Sequence, residues 1–350
     1  MATLVSADVA AQIQSIWSKR LFVQATKRTF WGRFEGPEGS GMPIVRKVDL
    51  EKEPGDTIKM DARLALVGAG QTGDAVLLEG NEEKMKFRQT TVTVNSLQHA
   101  VRWSKKAKIQ ITHNLRNEAL GGLRVWVAAN LDDKMFAEIS GATGANVLEA
   151  SLPTTMKYWC GTATSNATVD DTDAAGRLKL NDISKAKALA KSSIMIEPLG
   201  LDNGEEVYGL VLHDYAALAL KMDAQFQQAQ REARERGRDN PLFTGALGIW
   251  DNVILYASPR VVTASDGVGS ISVARNVLFG ANMVSRAWAY MPDWTEQEFS
   301  YGQEIGVATF MIFGQKLNIF DLTAAGGAAA TACTAIGGML VYSSAVAPTA

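Results

Sequence analysis

The sequence predicts an α+β fold, because one stretch has the period of a β-strand and another has the period of a long α-helix. Polar and apolar residues alternate between 57 and 66, as in a strand with one buried face. Between 105 and 140 an apolar residue recurs at every fourth position, which is typical of a helix. A second extended run at 84–103 follows the first strand, so 56–103 is predicted to form a two-stranded ribbon.

The composition is that of an ordinary globular protein, with 350 residues, 47% hydrophobic and 21% charged. This length allows one large domain or two to three smaller ones. The net charge of -2 argues against sustained nucleic-acid binding as the main role, since such proteins usually carry a basic surplus, although it leaves room for a local basic patch. Cys160 and Cys333 form neither a disulfide framework nor a metal cluster. We expect no metal and no cofactor.

No segment of the sequence predicts a membrane span or a secretory signal. Residues 1–18 lack a basic start followed by an apolar core, so a secretory signal is not expected. Residues 322–350 are uncharged, but Gly326-Gly327 and Gly337-Gly338 interrupt them, and their Ala, Gly, Ser and Thr are weakly apolar. We expect a turn followed by a strand at 339–342 there, and a soluble protein of cytosolic origin.

The predicted ribbon carries an unusually long loop at 67–83. The apolar positions of 84–103 change parity along the run, which predicts a bulge or a bend. Structureless loops of this length are uncommon in compact domains and usually bind something. Because an isolated hairpin is only marginally stable, we hypothesise that a neighbouring chain supports the ribbon.

The apolar row of 105–140 predicts one helix of about 50 Å, at about 1.5 Å per residue. Each step of four residues drifts about 40° around the helix, so different parts of it must face different partners. Gly121-Gly122 is a candidate kink. The remaining expected elements are helices at 8–31, 183–191, 276–290 and 214–236, the last capped by Asp214, strands at 207–212, 253–256 and 307–313, and loops at 32–55 and 142–182.

One motif suggests an enzyme, since Gly68, Gly70 and Gly73 fit the GxGxxG pattern of dinucleotide-binding proteins. That site needs a helix after the glycines, whereas Gly80-Asn81 and a polar acidic run follow here. The acidic side chains would also repel phosphate, so a loop tip is favoured. The histidines, His99, His113 and His213, form no catalytic motif. Carboxylate catalysis leaves no spacing signature, but the sequence as a whole favours a protein that is not an enzyme.

The aromatic and basic stretch 17–34 has three alternative roles. It could touch nucleic acid or a membrane surface, or it could pack its aromatic face on a neighbouring subunit. The packing role is favoured, with Trp17 and Phe22 as contact residues.

Five blocks of the sequence, taken in order, resemble the major capsid proteins of podoviruses like enterobacterial phage N-four. The blocks are WSKRLFVQATKRTF (17–30), LALVGAGQTGDAVLLEGNEE (64–83), QREARERGRDNPLFTGALGIWDNVILY (230–256), ARNVLFGANMVSRAW (274–288), and WTEQEFSYG with FGQKLNIF (294–320). The resemblance implies an HK97-like phage capsid fold, like that of phage Hong Kong 97. It implies an N-terminal arm at 1–50, an extended loop at 51–103, a peripheral domain with a spine helix at 104–141 and 293–350, and an axial domain at 142–292.

The resemblance also implies a function in the virion. Subunits would assemble as hexamers and pentamers in the host bacterial cytoplasm into an icosahedral shell around double-stranded DNA. Expected partners are further copies of the chain, a portal protein and DNA held by weak non-specific contacts, and a need for scaffolding or decoration proteins stays open. The expected inter-subunit contacts are Trp17, Phe22, Gly68, Gly70, Gly73, Glu79, Glu82 and Glu83. The alternatives are a bacterial nanocompartment shell protein and a dinucleotide-binding enzyme.

Overall fold

The architecture comes from a computed structural model, which describes most of the chain. The described residues are 21, 29–48, 55–63, 82, 85, 87–111, 114–140, 156–172, 175–202, 204–228, 247–321, 333–335 and 337–348. Among these residues, none of the helices combines the length and the apolar composition that a membrane crossing needs.

Strands make up most of the regular structure. In chain order they are β1 Glu35–Gly36, β2 Ile44–Lys47, β3 Thr57–Arg63, β4 Phe87–Thr93, β5 Asn95–Ser104, β6 Lys157–Trp159, β7 Gly200–Asp202, β8 Glu205–Leu212, β9 Gly248–Trp250, β10 Val253–Ala257, β11 Thr263–Ala264, β12 Val273–Phe279, β13 Val284–Phe299, β14 Glu304–Leu317, β15 Ile319–Asp321, β16 Cys333–Ala335 and β17 Gly338–Ser344. The helices are α1 Lys105–Gln110, α2 Leu115–Ser140, α3 Leu180–Leu189 and α4 Asp214–Met222, with short 3-10 turns at Trp31–Phe34, Asn166–Thr168 and Val268–Ser270 and a π turn at Ala190–Ile194.

Two larger sheets organise these strands. The first has the order β1-β2-β13-β14-β5, and the second has the order β6-β17-β12-β8-β10-β9, with β7 and β11 added to β8 and β12. Two strand pairs stand apart from them, β15 with β16 and β3 with β4. The main hydrophobic core lies on the second sheet, under α3 and α4, and it takes in the C-terminal end of α2.

Helix α2 changes partners along its length, as the winding apolar row predicts. Its first turns, with Leu123, share a cluster with Trp294 and Val307 of the first sheet. Its middle, with Val127 and Leu131, packs on Trp288, Met311 and Phe313. Its last turns, with Met135, Phe136 and Ile139, enter the main core. The prediction that different parts of this helix face different partners is confirmed.

Two predicted helices are interrupted by an extended residue. The row at 105–140 is interrupted, because Ile111 is extended (φ -101°, ψ 131°) and ends α1 before α2 begins at Leu115. Helix α2 then runs unbroken through Gly121-Gly122. The helix predicted at 214–236 breaks at Asp223, which is also extended. Apolar spacing alone does not predict such breaks, since the residues before and after a single extended residue can both keep the spacing of a helix.

The buried helix predicted at 276–290 is wrong, because these residues form β12, a turn and the start of β13. All seven residues of β12 are buried. A strand covered on both faces reads as a continuous apolar run and has no period of two, so its sequence resembles a buried helix. Asn282 makes the turn with a left-handed backbone (φ 55°), a conformation that asparagine tolerates.

Other predicted elements are confirmed, with shifted ends. The strands at 207–212, 253–256, 307–313 and 339–342 lie within β8, β10, β14 and β17, and the helix at 183–191 corresponds to α3. The bend predicted within 84–103 is confirmed at Val94, where β4 passes into β5 and the chain leaves one sheet for another. Of the helix predicted at 8–31, Leu21 is helical whereas Thr29 and Phe30 are not, and most of the predicted range lies outside the described residues.

The N-terminal segment is anchored on α2 by a buried carboxylate. The two oxygens of Asp132 accept backbone hydrogen bonds from Phe30 (2.8 Å) and Trp31 (3.2 Å). Burial raises the pKa of Asp132, and these two donors act against that rise. Trp31 is fully buried and its ring meets that of Phe136 at 5.3 Å. The segment that leads into β1 is therefore part of the core.

A buried ion pair ties the same segment to the first sheet. The Arg286 guanidinium on β13 donates to Glu35 of β1 at 2.6 Å and to the Gln315 side chain on β14 at 3.1 and 3.2 Å. Arg286 is almost fully buried, and Glu35 is largely so. This pair fixes the outer strands β1 and β2 to the long hairpin β13–β14.

Candidate functional site

The ribbon formed by β3 and β4 is packed at its base and exposed at its far end. The two strands pair from Thr57↔Thr93 to Arg63↔Phe87. At the base, Ile58 and Val92 are buried against Ala287 of the first sheet. Towards the far end, Met85 and Phe87 are 62% and 59% exposed. The ribbon therefore leaves the body of the subunit with apolar side chains uncovered.

A glycine makes the close approach at the base possible. A Cβ on Gly314 of β14 would lie 2.2 Å from the backbone oxygen of Thr93, well inside contact distance. The ribbon thus starts directly against the first sheet. At its base the Val94 N–H donates to the backbone carbonyl of Asp56 at 2.9 Å and closes the strand pair. The base is held against the first sheet, whereas Met85 and Phe87 towards the far end are exposed.

Of the predicted contact residues, Glu82 is described, and it is exposed. The other predicted contact residues lie outside the described residues: Trp17, Phe22, Gly68, Gly70, Gly73, Glu79 and Glu83. Leu21, one residue before Phe22, is described and is fully buried against Leu120 and Leu123 of α2. The role of the predicted residues between subunits stays a prediction.

Strand β5 is an open edge of the first sheet, and sequence reasoning missed it. Its ten residues pair with β14 on one side only, and no other described strand pairs with it. The Lys105 N–H donates to the Gln303 carbonyl at 2.7 Å, so the backbone of residue 105 faces β14. Because successive residues of an antiparallel strand alternate in direction, the backbone N–H and C=O groups of 96, 98, 100, 102 and 104 point away from β14. Only Leu97 and Trp103 are half-buried, and the rest of the strand is exposed. Such an edge is a template for another chain.

A second exposed surface lies where β5 ends, and we define the distal tip as Lys105–Ile111 with Phe299–Gln303. Helix α1 buries none of its residues. Ile109 is 78% exposed, and Tyr301, in the turn between β13 and β14, is fully exposed. Ser300 and Tyr301 both have left-handed backbones (φ 51° and 54°), a conformation that costs energy in residues other than glycine.

The charges of the distal tip are uneven. Arg102 pairs with Glu304 and lies over the ring of Phe299 at 4.3 Å, which fixes the end of β5 to the hairpin turn. Lys105, Lys106 and Lys108 are exposed, and within the described residues they form no ion pair. The tip therefore combines three ammonium groups with exposed apolar side chains.

The structure assigns His213 a local role. Its Nδ1 accepts the backbone N–H of Tyr215 at 3.2 Å, so His213 caps α4, whereas Asp214, which was predicted to cap it, is the first helical residue. Burial lowers the pKa of His213, and the charge of Asp214 acts in the opposite direction. Cys160 is a buried free thiol, and burial raises its pKa. Among the described residues, no three metal-ligating side chains of the His, Cys, Asp and Glu types come together.

Comparison with known proteins decides the family. Residues 6–347 match a family model described as phage capsid protein. The chain belongs to this phage capsid protein family. Its fold is that of tailed-phage capsids, the HK97-like fold that the resemblance implies.

Individual relatives agree with this assignment. The major capsid protein of Pseudomonas phage KPP25 is 25% identical over 333 residues, which cover 86% of this chain and 88% of that protein. The capsid of Ralstonia phage GP4 superposes with a TM-score of 0.75 at 26% identity and 92% coverage of both chains. A cyanophage Pam1 capsid chain shares the fold, with a TM-score of 0.76, 21% identity and coverage of 92% and 94%. The comparisons favour a phage capsid protein over the nanocompartment and enzyme alternatives.

This capsid protein therefore has its candidate functional surfaces at its periphery. The ribbon end, the open edge of β5 and the distal tip are three places where the described chain leaves hydrogen-bonding groups or apolar side chains exposed. A virion component that associates with copies of itself needs such surfaces, and the first sheet, α2 and the ribbon base hold them in fixed positions.

Proposed function

We propose that this capsid protein forms hexamers and pentamers that tile the icosahedral shell of a tailed phage, and that each ribbon rests on an adjacent subunit. The observation that carries the role of the ribbon is its exposed apolar end, with Met85 and Phe87 uncovered while Ile58 and Val92 at the base are buried. Burial of apolar area stabilises association by about 25 cal/mol per Å² before entropic costs. Many modest contacts of this kind would stabilise a shell.

The shell would enclose double-stranded DNA and would be assembled in the host cytoplasm around a portal protein, with scaffolding or decoration proteins as further partners. The net charge of -2 supports a container role, since a strongly basic lining would hold the DNA tightly. Contacts with DNA would then be weak and non-specific.

Excision of the ribbon end tests this function. Arg63 and Phe87 lie directly opposite each other in the β3–β4 ladder, so residues 64–86 can be replaced by Asn-Gly, which forms a two-residue hairpin turn. We expect a folded subunit, with an unchanged circular dichroism spectrum, that forms no shells in negative-stain microscopy and sedimentation. Normal-sized shells from the excised protein would show that the ribbon is not needed.

A further inference from the structure

We propose that two copies of the chain pair edge to edge through β5, antiparallel, across a two-fold axis at Ala100. The inference rests on the proposed function, because it names a contact that would join neighbouring hexamers and pentamers to one another. A contact across a two-fold axis buries the same surface of both copies, so that surface has to be complementary to itself. The open edge of β5 meets this requirement in its backbone groups and in its side chains.

Strand β5 lacks the features that keep an exposed edge from pairing. Natural sheets protect their open edges with short strands, prolines, bulges or several charges. Strand β5 has ten residues, whereas strands usually have about five or six. Its pairing with β14 shows no register shift, while the pairing of β13 with β14 is shifted at two places. Arg102 is its single Lys, Arg, Asp or Glu, and it contains no proline. We therefore expect another strand to cover this edge in the assembled protein.

The backbone of β5 can pair with itself along most of its length. The N–H and C=O groups of 98, 100 and 102 point away from β14, and the described part of the chain supplies no partner for them. In an antiparallel ladder, two such residues that lie directly opposite each other exchange two hydrogen bonds. With the axis at Ala100, residue 100 lies opposite its own copy and residue 98 lies opposite residue 102. The three pairs then form about six backbone hydrogen bonds.

The side chains of β5 match in the same register. Leu97 lies opposite Trp103 of the other copy, and both are half-buried apolar residues that already pack against α2. His99 lies opposite Val101, which is 37% exposed in the single subunit. Apolar and aromatic pairs directly across two strands stabilise a sheet. Alanine stands at the axis itself, where a long side chain would meet its own copy. The pairing thus extends the apolar face of the first sheet from one subunit to the next.

Other axes on β5 fit less well. An axis at Arg102 would place two guanidinium groups opposite each other, and like charges in that position are destabilising. An axis at Gln98 would leave 102–104 without an opposite residue in the partner strand. An axis at His99 would oppose two imidazoles and separate Leu97 from Trp103. With the axis at Ala100, the two Arg102 residues stay about 14 Å apart along the strands, at about 3.4 Å per residue.

Single cysteines report the pairing and its register. They are introduced in a Cys333→Ser background, since Cys160 is fully buried, and assembled shells are oxidised mildly and run on a non-reducing gel. The two Cα atoms of residue 100 would lie about 5.5 Å apart, so Ala100→Cys should link about half of the subunits or more into dimers. The matched control Gln98→Cys, with its two copies about 14 Å apart, should stay monomeric. Shells mixed from Gln98→Cys and Arg102→Cys subunits should give the mixed dimer.

A proline tests the contribution of the ladder without oxidation. Ala100→Pro removes an N–H that β14 does not use, a position at which an edge strand tolerates proline. We expect the urea midpoint of the subunit to stay unchanged and the shell yield to fall about tenfold or more, whereas Ala100→Ser, which keeps the N–H, should assemble normally. Shells that form without a dimer of Ala100→Cys, or with as much dimer from Gln98→Cys, would overturn the pairing and leave the proposed function standing. Absence of shells from the unchanged protein would instead count against the proposed function.

Discussion

The carboxylate of Asp132 holds the N-terminal segment on α2, and its removal should destabilise the subunit measurably. Each oxygen accepts one backbone hydrogen bond, from Phe30 at 2.8 Å and from Trp31 at 3.2 Å. Asp132→Ala would leave both N–H groups without that acceptor at a buried site. An unpaired buried donor loses its hydrogen bond and has no water to replace it.

The size of the effect follows from these two bonds. Hydrogen bonds to charged groups contribute about 1.5–3 kcal/mol each. The burial that raises the pKa of Asp132 also makes its charge unfavourable, so we use the lower end and expect a loss of about 3 kcal/mol for Asp132→Ala. An unfolding entropy of about 2.1 cal/mol/K per residue converts this into a fall in the melting temperature of about 4 °C. Asp132→Asn keeps one acceptor oxygen and should lose about half as much.

The neighbouring residue provides a matched control. Asp133 lies on the same turn of α2, but it is 59% exposed and pairs with Arg260 at the surface. Exposed ion pairs contribute about 0–1 kcal/mol, so Asp133→Ala should change little. Unfolding in urea, followed by circular dichroism on the unassembled subunit, gives the free energy of each variant. If Asp132→Ala and Asp133→Ala unfold within about 0.5 kcal/mol of each other, Asp132 does not anchor the segment as argued.

Two further predictions concern the buried pair and the helix cap. Glu35→Ala should destabilise the subunit by about 3–5 kcal/mol, because Arg286 would stay buried without its counter-charge. The control is Glu38→Ala, which removes an exposed carboxylate that pairs with Lys47 and should cost about 1 kcal/mol or less. Equal urea midpoints for the two variants would contradict this. Burial lowers the pKa of His213 in the folded state, so the free energy that its cap contributes to folding is present above about pH 6.5. This contribution is lost as the pH falls towards the folded-state pKa, because a protonated Nδ1 cannot accept the hydrogen bond from the Tyr215 N–H. Thermal unfolding of the unchanged protein and of His213→Asn, whose cap does not titrate, is compared at a pH above and a pH below the folded-state pKa of His213. The unchanged protein should lose about 1 kcal/mol more of its free energy of unfolding than the variant. Equal losses would refute the cap.

The parts of the fold that the sequence predicts are those with one dominant period. Strand β3 alternates because one of its faces is exposed along the ribbon. The apolar row of α2 predicts both the helix and its change of partners, because the drift per turn is a geometric property of the backbone. The segment 276–290 gave no such signal, because β12 is covered on both faces. Its strand identity depends on β8 and β17, which pair with it from distant parts of the chain.

Of the candidate surfaces, too, some can be predicted from the sequence and others cannot. The ribbon could be found from its alternating strand and its long glycine-rich loop, both of which are local features. The distal tip could not, because Lys105 and Tyr301 are almost 200 residues apart and meet only through the pairing of β5 with β14. Asp132 is equally hidden, since an aspartate beside the apolar row of a helix resembles a solvated side chain until Phe30 and Trp31 are placed next to it.

The distribution of charge suggests why the subunit can fold before it assembles. Buried charges are paired where the N-terminal segment, α2 and the first sheet meet, so the positions of the ribbon base and of β5 are set within one chain. The uncovered apolar residues Ile109 and Tyr301 lie beside lysines, which keep the free subunit hydrated and repel the same surface on another copy. High salt should therefore weaken this repulsion between free subunits, since screening acts on the charges and leaves the apolar surface unchanged.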